Sequence, residues 1–368
     1  MRGRLPGKAV RFAAVVGVML GGCRAAPAVL PAAEAGSLSR AAEPTLLPAA
    51  SPTAFLPAPT TPLPAARPIA PSGCCVHPWW SSDSRKVYFV DRPDPSADAS
   101  IYAVPVEGGT PTVTDLPLGL YSPGGELIAL PGGTEWALAR ADGTAGWRLP
   151  SGTLTFRVSR GGGQVAWSEG SSLPVQIDRR QRTIWVATVD GKEPRQVARI
   201  VGGDLLGWTR NDERLLVSGR PADDPQTGIW SLDLAGTATL LWGVDRPRSL
   251  LLSPDGGWLA LLLTFSGDPQ ADGLWVLSTS DGAPRRIDAY GSYRWRSEGR
   301  LLLLPFEAGA SGLSVVEVEA VNGTSETIMP AGALPGGVAN NEWLPSPDGR
   351  WIVYLNAAES NLWLTALP

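Results

Sequence analysis

Downstream of residue 74 the apolar residues fall into short runs, each bounded by a polar turn. One run recurs as Ile or Leu, an aromatic residue, any residue, then an aliphatic one. It reads Ile101-Tyr102-Ala103-Val104, Ile184-Trp185-Val186-Ala187, Ile229-Trp230-Ser231-Leu232, Leu274-Trp275-Val276-Leu277 and Leu362-Trp363-Leu364-Thr365. Weaker copies stand at Glu135-Trp136-Ala137-Leu138 and Leu313-Ser314-Val315-Val316. A second run follows Ser-Pro-Asp-Gly: Ser253 to Gly256 before Trp258-Leu259-Ala260-Leu261, and Ser346 to Gly349 before Trp351-Ile352-Val353-Tyr354. Degenerate copies are Ser82-Asp83-Ser84, Ser122-Pro123-Gly124-Gly125, Ser159 to Gly163, Arg210-Asn211-Asp212-Glu213 and Ser297-Glu298-Gly299. A third signal follows the quartet, as in Asp190-Gly191, Asp281-Gly282 and Asn322-Gly323.

Asp-Gly and Asn-Gly supply the positive φ angles of tight hairpins. Runs of four to six β-branched, aliphatic and aromatic residues between them read as strands. Each unit is then an antiparallel meander of four strands. Its aromatic position recurs at gaps of 34 to 49 residues. That period predicts an all-β fold, a β-propeller of four-stranded antiparallel blades. The signals count seven blades over residues 74–368; the alternative is six blades and a degenerate unit. The last unit reaches Pro368 with three strands. Closure therefore calls for an outer strand from upstream of Trp79, kept short by the prolines around Ile69.

The N-terminus has another pattern. Arg2, Arg4, Lys8 and Arg11 lead into the apolar stretch Phe12 to Gly22, 11 residues long. A helix of that length covers about 16 Å, roughly half of a ~30 Å hydrocarbon core. It suits a signal peptide better than a membrane span. The stretch ends in Leu20-Gly21-Gly22-Cys23, which resembles the lipobox of bacterial lipoproteins. The resemblance implies a signal peptide at 1–22 and lipidation of Cys23; the other reading is an ordinary secretory signal with an incidental Cys. Residues 24–73 hold 11 Pro and 15 Ala and no alternating pattern. With Cys23 they read as a disordered, partly polyproline tether, 23–73, ahead of the propeller at 74–368.

Composition agrees with this plan. The chain's 43 Gly and 35 Pro oppose long helices, while 43% hydrophobic residues and 15 Trp are enough for a core. A net charge of −4 and the lack of a basic patch argue against nucleic acid. Without the signal, 27 basic residues face 35 acidic ones, a charge of −8. Such a chain is held to a membrane by acyl chains, not by charge.

The segment Ser346-Pro347-Asp348-Gly349-Arg350-Trp351-Ile352-Val353-Tyr354 and its copies resemble the WD-repeat-like units of TolB-type propellers. Similar units form the propellers of prolyl-oligopeptidase relatives. The resemblance spans residues 74–368 and implies blade architecture. The matching residues are turn and core positions, so it implies no activity.

Candidate chemistry is sparse. No Gly-x-Ser-x-Gly elbow is present, and the single His77 lies alone in Cys74-Cys75-Val76-His77-Pro78. Cys74 and Cys75 form a vicinal disulfide, stay as thiols, or bind a soft metal with His77. No calcium loop is found, and neither a cofactor nor a metal is expected. Trp136, Trp167, Trp185, Trp230, Trp258, Trp275, Trp351 and Trp363 repeat from unit to unit and are assigned to packing between sheets.

The meander places the Ser-Pro-Asp-Gly and Asp-Gly turns on one face. Longer, dissimilar loops fall on the other, at 91–100, 168–183, 218–228 and 264–273. They carry Asp91, Asp94, Asp98, Asp223, Asp224, Asp268 and Asp272, with Arg179, Arg180 and Arg182 in the second loop. Variable loops on a rigid scaffold are where binding usually lives. The expectation is a non-enzymatic scaffold, lipid-anchored to a membrane outside the cytoplasm, that binds another envelope protein. The alternative is a propeller that binds a small ligand or glycan; a third reading is an enzyme using carboxylates on a propeller face. A flat polar face favours a protein partner, and a Trp-lined pocket favours a ligand or glycan.

Overall fold

In five repeats the turn between the first two strands has one geometry. At Ser253 the hydroxyl donates to Asp255 at 2.6 Å and accepts the Trp258 N–H at 2.9 Å. Gly256 takes φ 71, and the Ser253 N–H bonds to the Trp258 carbonyl at 2.7 Å. Ser346, Asp348, Gly349 and Trp351 repeat this arrangement, as do Ser81, Asp83, Ser84 and Lys86. Thr209 with Asn211 and Asp212, and Ser159 with Gly162, preserve its outline. Two of the degenerate copies therefore begin one residue earlier than the sequence suggests, at Ser81 and not Ser82, and at Thr209 and not Arg210, while the copy at Ser159 begins where expected. A hydroxyl in the first position and a positive φ in the fourth carry the turn. Neither needs Pro or Gly.

The structure is a computed structural model. It describes residues 65–70, 76–92, 98–118, 120–121, 127–132, 135–140, 147–150, 152–170, 176–306 and 312–368. Cys23, Asp94, Cys74 and Cys75, and with them the proposed lipidation and disulfide, lie outside the described residues. Among those described, the fold is all-β apart from a single 3₁₀ turn, Ile177–Arg179. No helix there is long and apolar enough to cross a membrane.

The strands form five four-stranded antiparallel sheets and one of eight. The eight-stranded sheet is two meanders joined where Ile200 pairs with Pro221 and Val201 with Arg220. Within a sheet the central strands are buried on both faces: Leu215, Leu216 and Val217, then Leu259, Ala260 and Leu261, then Leu301, Leu302 and Leu303. A strand buried on both sides needs a neighbouring sheet against each face. The cores meet that need in order around the molecule. Leu149 packs with Val165, Ala166 with Leu215, Leu216 with Leu259, Ala260 with Leu301, and Leu302 with Ile352. Val353 and Leu364 of the last sheet then share a core with Val87 and Phe89 of the first. The result is a propeller-like succession of antiparallel sheets.

A segment upstream of Trp79 does complete the last sheet. Arg67 pairs with Leu364 and Pro68 with Trp363, and the Ile69 N–H bonds to the Leu362 carbonyl at 2.8 Å. Ile69 and Ala70 are buried in the core shared by the first and last sheets. Residues 67–70 thus pair and pack with the last sheet.

A second set of tryptophans, absent from the quartets, stitches the sheets together. Trp80, Trp208, Trp295 and Trp343 lie on first strands, at Val76–Trp80, Leu205–Trp208, Gly291–Ser297 and Val338–Pro345. All four are buried. The indole N–H of Trp208 donates to the Arg157 carbonyl, that of Trp295 to Leu251, and that of Trp343 to the Ser292 hydroxyl. Each bond reaches the first strand of the preceding meander, the Trp208 bond between the two halves of the eight-stranded sheet. Of the tryptophans that repeat from unit to unit, Trp167 and Trp230 are buried, while Trp185, Trp275 and Trp363 are half-buried.

Candidate functional site

The hairpin turns gather at one end of the sheets and the longer connections at the other. The turn face is bound by charge. Asp212 accepts the N–H groups of Arg160 at 2.9 Å and Gly161 at 2.7 Å, clipping two successive turns together. Glu298 pairs with Arg160 at 2.9 Å and with Arg210 at 3.5 Å. Arg210 also holds Asp255, whose side chain is fully buried. Burial alone would raise the Asp255 pKa; the Ser253 hydroxyl and the Arg210 guanidinium outweigh it and hold the carboxyl below its usual range. These groups are partnered, so this face reads as structural. A recess of about 540 Å³ also lies here, lined by Arg67, Asp83, Arg85, Glu107, Asp348 and Arg350 at the meeting of first and last sheets.

On the loop face, most of the expected binding charges serve their own loops. Asp91 ends a strand and accepts the Arg92 N–H at 2.7 Å. Asp224 accepts the Gln226 N–H at 2.8 Å, and Asp268 that of Gln270 at 2.9 Å. Asp272 accepts the N–H groups of Phe265 and Ser266, both at 3.0 Å. The Ser266 amide and hydroxyl, helped by the Phe265 amide, outweigh burial and keep its pKa low. Arg182 is turned inward, 10% exposed, with Nε 4.0 Å from Asp204. Arg180 is half-buried and engaged. Asp98, Arg179 and Asp223 remain exposed.

Two features emerge that the loop charges did not announce. First, the three exposed aromatic side chains among the described residues, Phe265, Tyr290 and Phe306, all belong to loop-face connections. Tyr290 and Phe306 meet edge to face, 5.7 Å between centroids, and a main-chain bond of 3.0 Å joins them. Second, a recess of about 560 Å³ opens between residues 242–248 and 263–275. Trp242 and Trp275 form its corner, 5.2 Å apart and tilted by 49°. Phe265, Arg246, Arg248 and Gln270 complete its lining. The signal in the sequence was Phe265 itself, an aromatic residue inside an otherwise polar loop. No three His, Cys, Asp or Glu side chains among the described residues are placed to hold a metal ion.

No protein-family model matches the chain, and no curated protein does either. Solved structures do resemble it. An oligogalacturonate lyase from Vibrio parahaemolyticus matches over 82% of this chain and 93% of its own, with a TM-score of 0.60 at 9% identity. A prolyl endopeptidase matches over 81% of this chain and 50% of its own, with a TM-score of 0.52 at 16% identity. TolB from Acinetobacter baumannii aligns over 75% of this chain and 78% of its own, with a TM-score of 0.39 at 11% identity, too loose to argue from. The first two likenesses show a shared propeller-like fold and nothing about activity.

Proposed function

We propose that the chain is a lipid-anchored, extracytoplasmic, seven-bladed propeller that binds another envelope protein through its loop face, without catalysing a reaction. The four-stranded sheets and the two halves of the eight-stranded one are its blades, and Cys23 is its anchor. The observation that carries the reading is the exposed Tyr290–Phe306 pair, 51% and 64% exposed. Aromatic rings held in place on a rigid scaffold are the usual anchors of a protein interface. Four carboxylates on this face, Asp91, Asp224, Asp268 and Asp272, are spent on loop amides. The lyase and peptidase neighbours are enzymes by name, yet identities of 9% and 16% do not carry an activity across.

Photo-crosslinking residues at 290 and 306 in native membranes test the proposal, with the same group at Val321 on the turn face as the control. The expected result is an adduct with an envelope protein from the loop-face positions and none from Val321. Cys23→Ser is expected to release the protein from the membrane. Equal adducts from both faces, or a membrane-bound Cys23→Ser variant, would refute it.

A further inference from the structure

The recess at Trp242 and Trp275 has the features of a built ligand site. The Trp275 indole N–H is tied to the Ala271 carbonyl at 2.9 Å, which fixes the ring and leaves its face to the recess. Phe265 stands at the rim, 91% exposed, with φ 59. Arg246, across from it, has φ 48. A bulky residue in the left-handed region is strained, and such strain gathers at ligand clamps. Here the Asp272 carboxylate holds the strained Phe265 by its main-chain N–H.

The charges are local and unequal. Asp268 is occupied by the Gln270 amide, and Asp245 lies 3.7 Å from Arg246. The Arg248 guanidinium is exposed and has no hydrogen-bond or ion-pair partner among the described residues. A carboxylate is the natural complement of its planar fork. The two indole rings meet at 49°, so they make a corner and not a parallel slot for a flat aromatic ligand. The volume of about 560 Å³ falls within the ~300–1,000 Å³ of ligand pockets, and the recess is open on one side. An open aromatic corner with polar groups at its rim fits a ring that presents C–H groups on one face and hydroxyls at its edge.

We infer that this recess binds a saccharide carrying a carboxylate. The sugar ring stacks in the corner of Trp275, Trp242 and Phe265, and the carboxylate pairs with Arg248. The inference stands apart from the protein-docking proposal, which rests on Tyr290 and Phe306.

The test is calorimetric titration of the full chain with glucuronate-containing oligosaccharides and with their carboxyl-reduced counterparts. Uronate probes are expected to bind saturably and to change tryptophan fluorescence. Carboxyl reduction is expected to weaken binding roughly tenfold or more, the loss of one charge-assisted contact. Arg248→Gln should cause the same loss for the uronate probe and none for the reduced one, whereas Phe265→Ala should weaken both. Both replaced side chains are exposed, so an unchanged melting temperature verifies the fold. Absence of saturable binding, or binding unaffected by either variant, overturns the inference. So does a Phe265→Ala variant that loses a crosslinked envelope protein while the parent binds no saccharide, because the recess is then part of a protein interface.

Discussion

Trp80 donates its indole N–H to the main-chain carbonyl of Leu344 at 3.2 Å, across 264 positions of sequence. Trp208 and Trp295 make the same bond to Arg157 and Leu251 between consecutive meanders. At Trp80 the bond joins the first sheet to the last. The Asp348 N–H reinforces this seam through the Ser84 hydroxyl at 3.0 Å. A ring closed without covalent bonds depends on its last interface as much as on any other.

The seam supplies the first prediction. Trp80 is 9% exposed, so Trp80→Ala removes packing as well as the hydrogen bond and should cost about 3–5 kcal/mol. Trp80→Phe retains much of the ring and should cost about 1 kcal/mol, the worth of one hydrogen bond. Urea unfolding midpoints separate the two. Equal losses would show that the hydrogen bond, and not the packing, holds the seam.

Acid should weaken the turn face through Asp255. Its carboxyl has a lowered pKa in the folded chain, with the Ser253 hydroxyl and Arg210 outweighing burial. The unfolded chain binds the proton more readily, near the ordinary value of ~3.9. The stabilisation is therefore complete above that value and is lost as pH falls through the lower folded one. Asp255→Asn should lower stability at pH 7 by roughly 1–3 kcal/mol, the cost of breaking buried hydrogen bonds to a charge. Its stability should also fall less than the parent's between pH 5 and pH 3, as unfolding at fixed pH would show. A parallel pH dependence in variant and parent would remove Asp255 from the acid response.

Much of this fold was legible because local chemistry encodes it. Ser253 and Ser346 announce their turns with Pro, Asp and Gly, and each turn fixes the strand after it. At Ser81 and Thr209 the Pro and the Gly are gone, while the hydroxyl, its acceptor at Asp83 or Asn211 and the positive φ at Ser84 or Asp212 survive, so the sequence placed those turns one residue late. Trp80, Trp208 and Trp295 were missed because their partners lie on another meander, where no local spacing points. Arg182 looked like a loop cation; its neighbour Asp204 draws it inward, and Asp204 follows it by 22 positions. The recess was illegible for a similar reason. Its walls come from two separate segments, and only the Asp272 carboxylate shows that Phe265 is held in place.

The two complete Ser-Pro-Asp-Gly turns should differ in their tolerance of a methyl group. Gly256 and Gly349 have nearly equal φ, 71 and 70. Alanine at either position carries the left-handed penalty of roughly 1–2 kcal/mol. At Gly256 the new Cβ would also fall 2.3 Å from the Trp208 carbonyl oxygen, a main-chain atom that cannot step aside. At Gly349 the nearest atom is the Arg296 Cγ at 3.2 Å, on a flexible side chain. Gly256→Ala should therefore be the more destabilising by at least about 1 kcal/mol, an overpacking cost. Thermal melts of the two variants decide it, and equal losses would mean that the Trp208 strand yields.

The short strand at Arg67–Pro68 makes residues 67–70 part of the fold. Ile69 is 5% exposed and packs with Leu362 and Leu364, and the Arg67 guanidinium reaches the Val106 carbonyl on the first sheet. The segment thus touches both sides of the seam that Trp80 closes. Ile69→Ala should cost about 2–4 kcal/mol, as for other buried aliphatic truncations. Arg67→Ala should cost less, because it removes a partly exposed hydrogen bond. If the segment clamps the seam, Ile69→Ala and Trp80→Ala share one interface, and the double variant should lose less than the sum of the two. Strict additivity in urea unfolding would make residues 67–70 a passive cover on the last sheet.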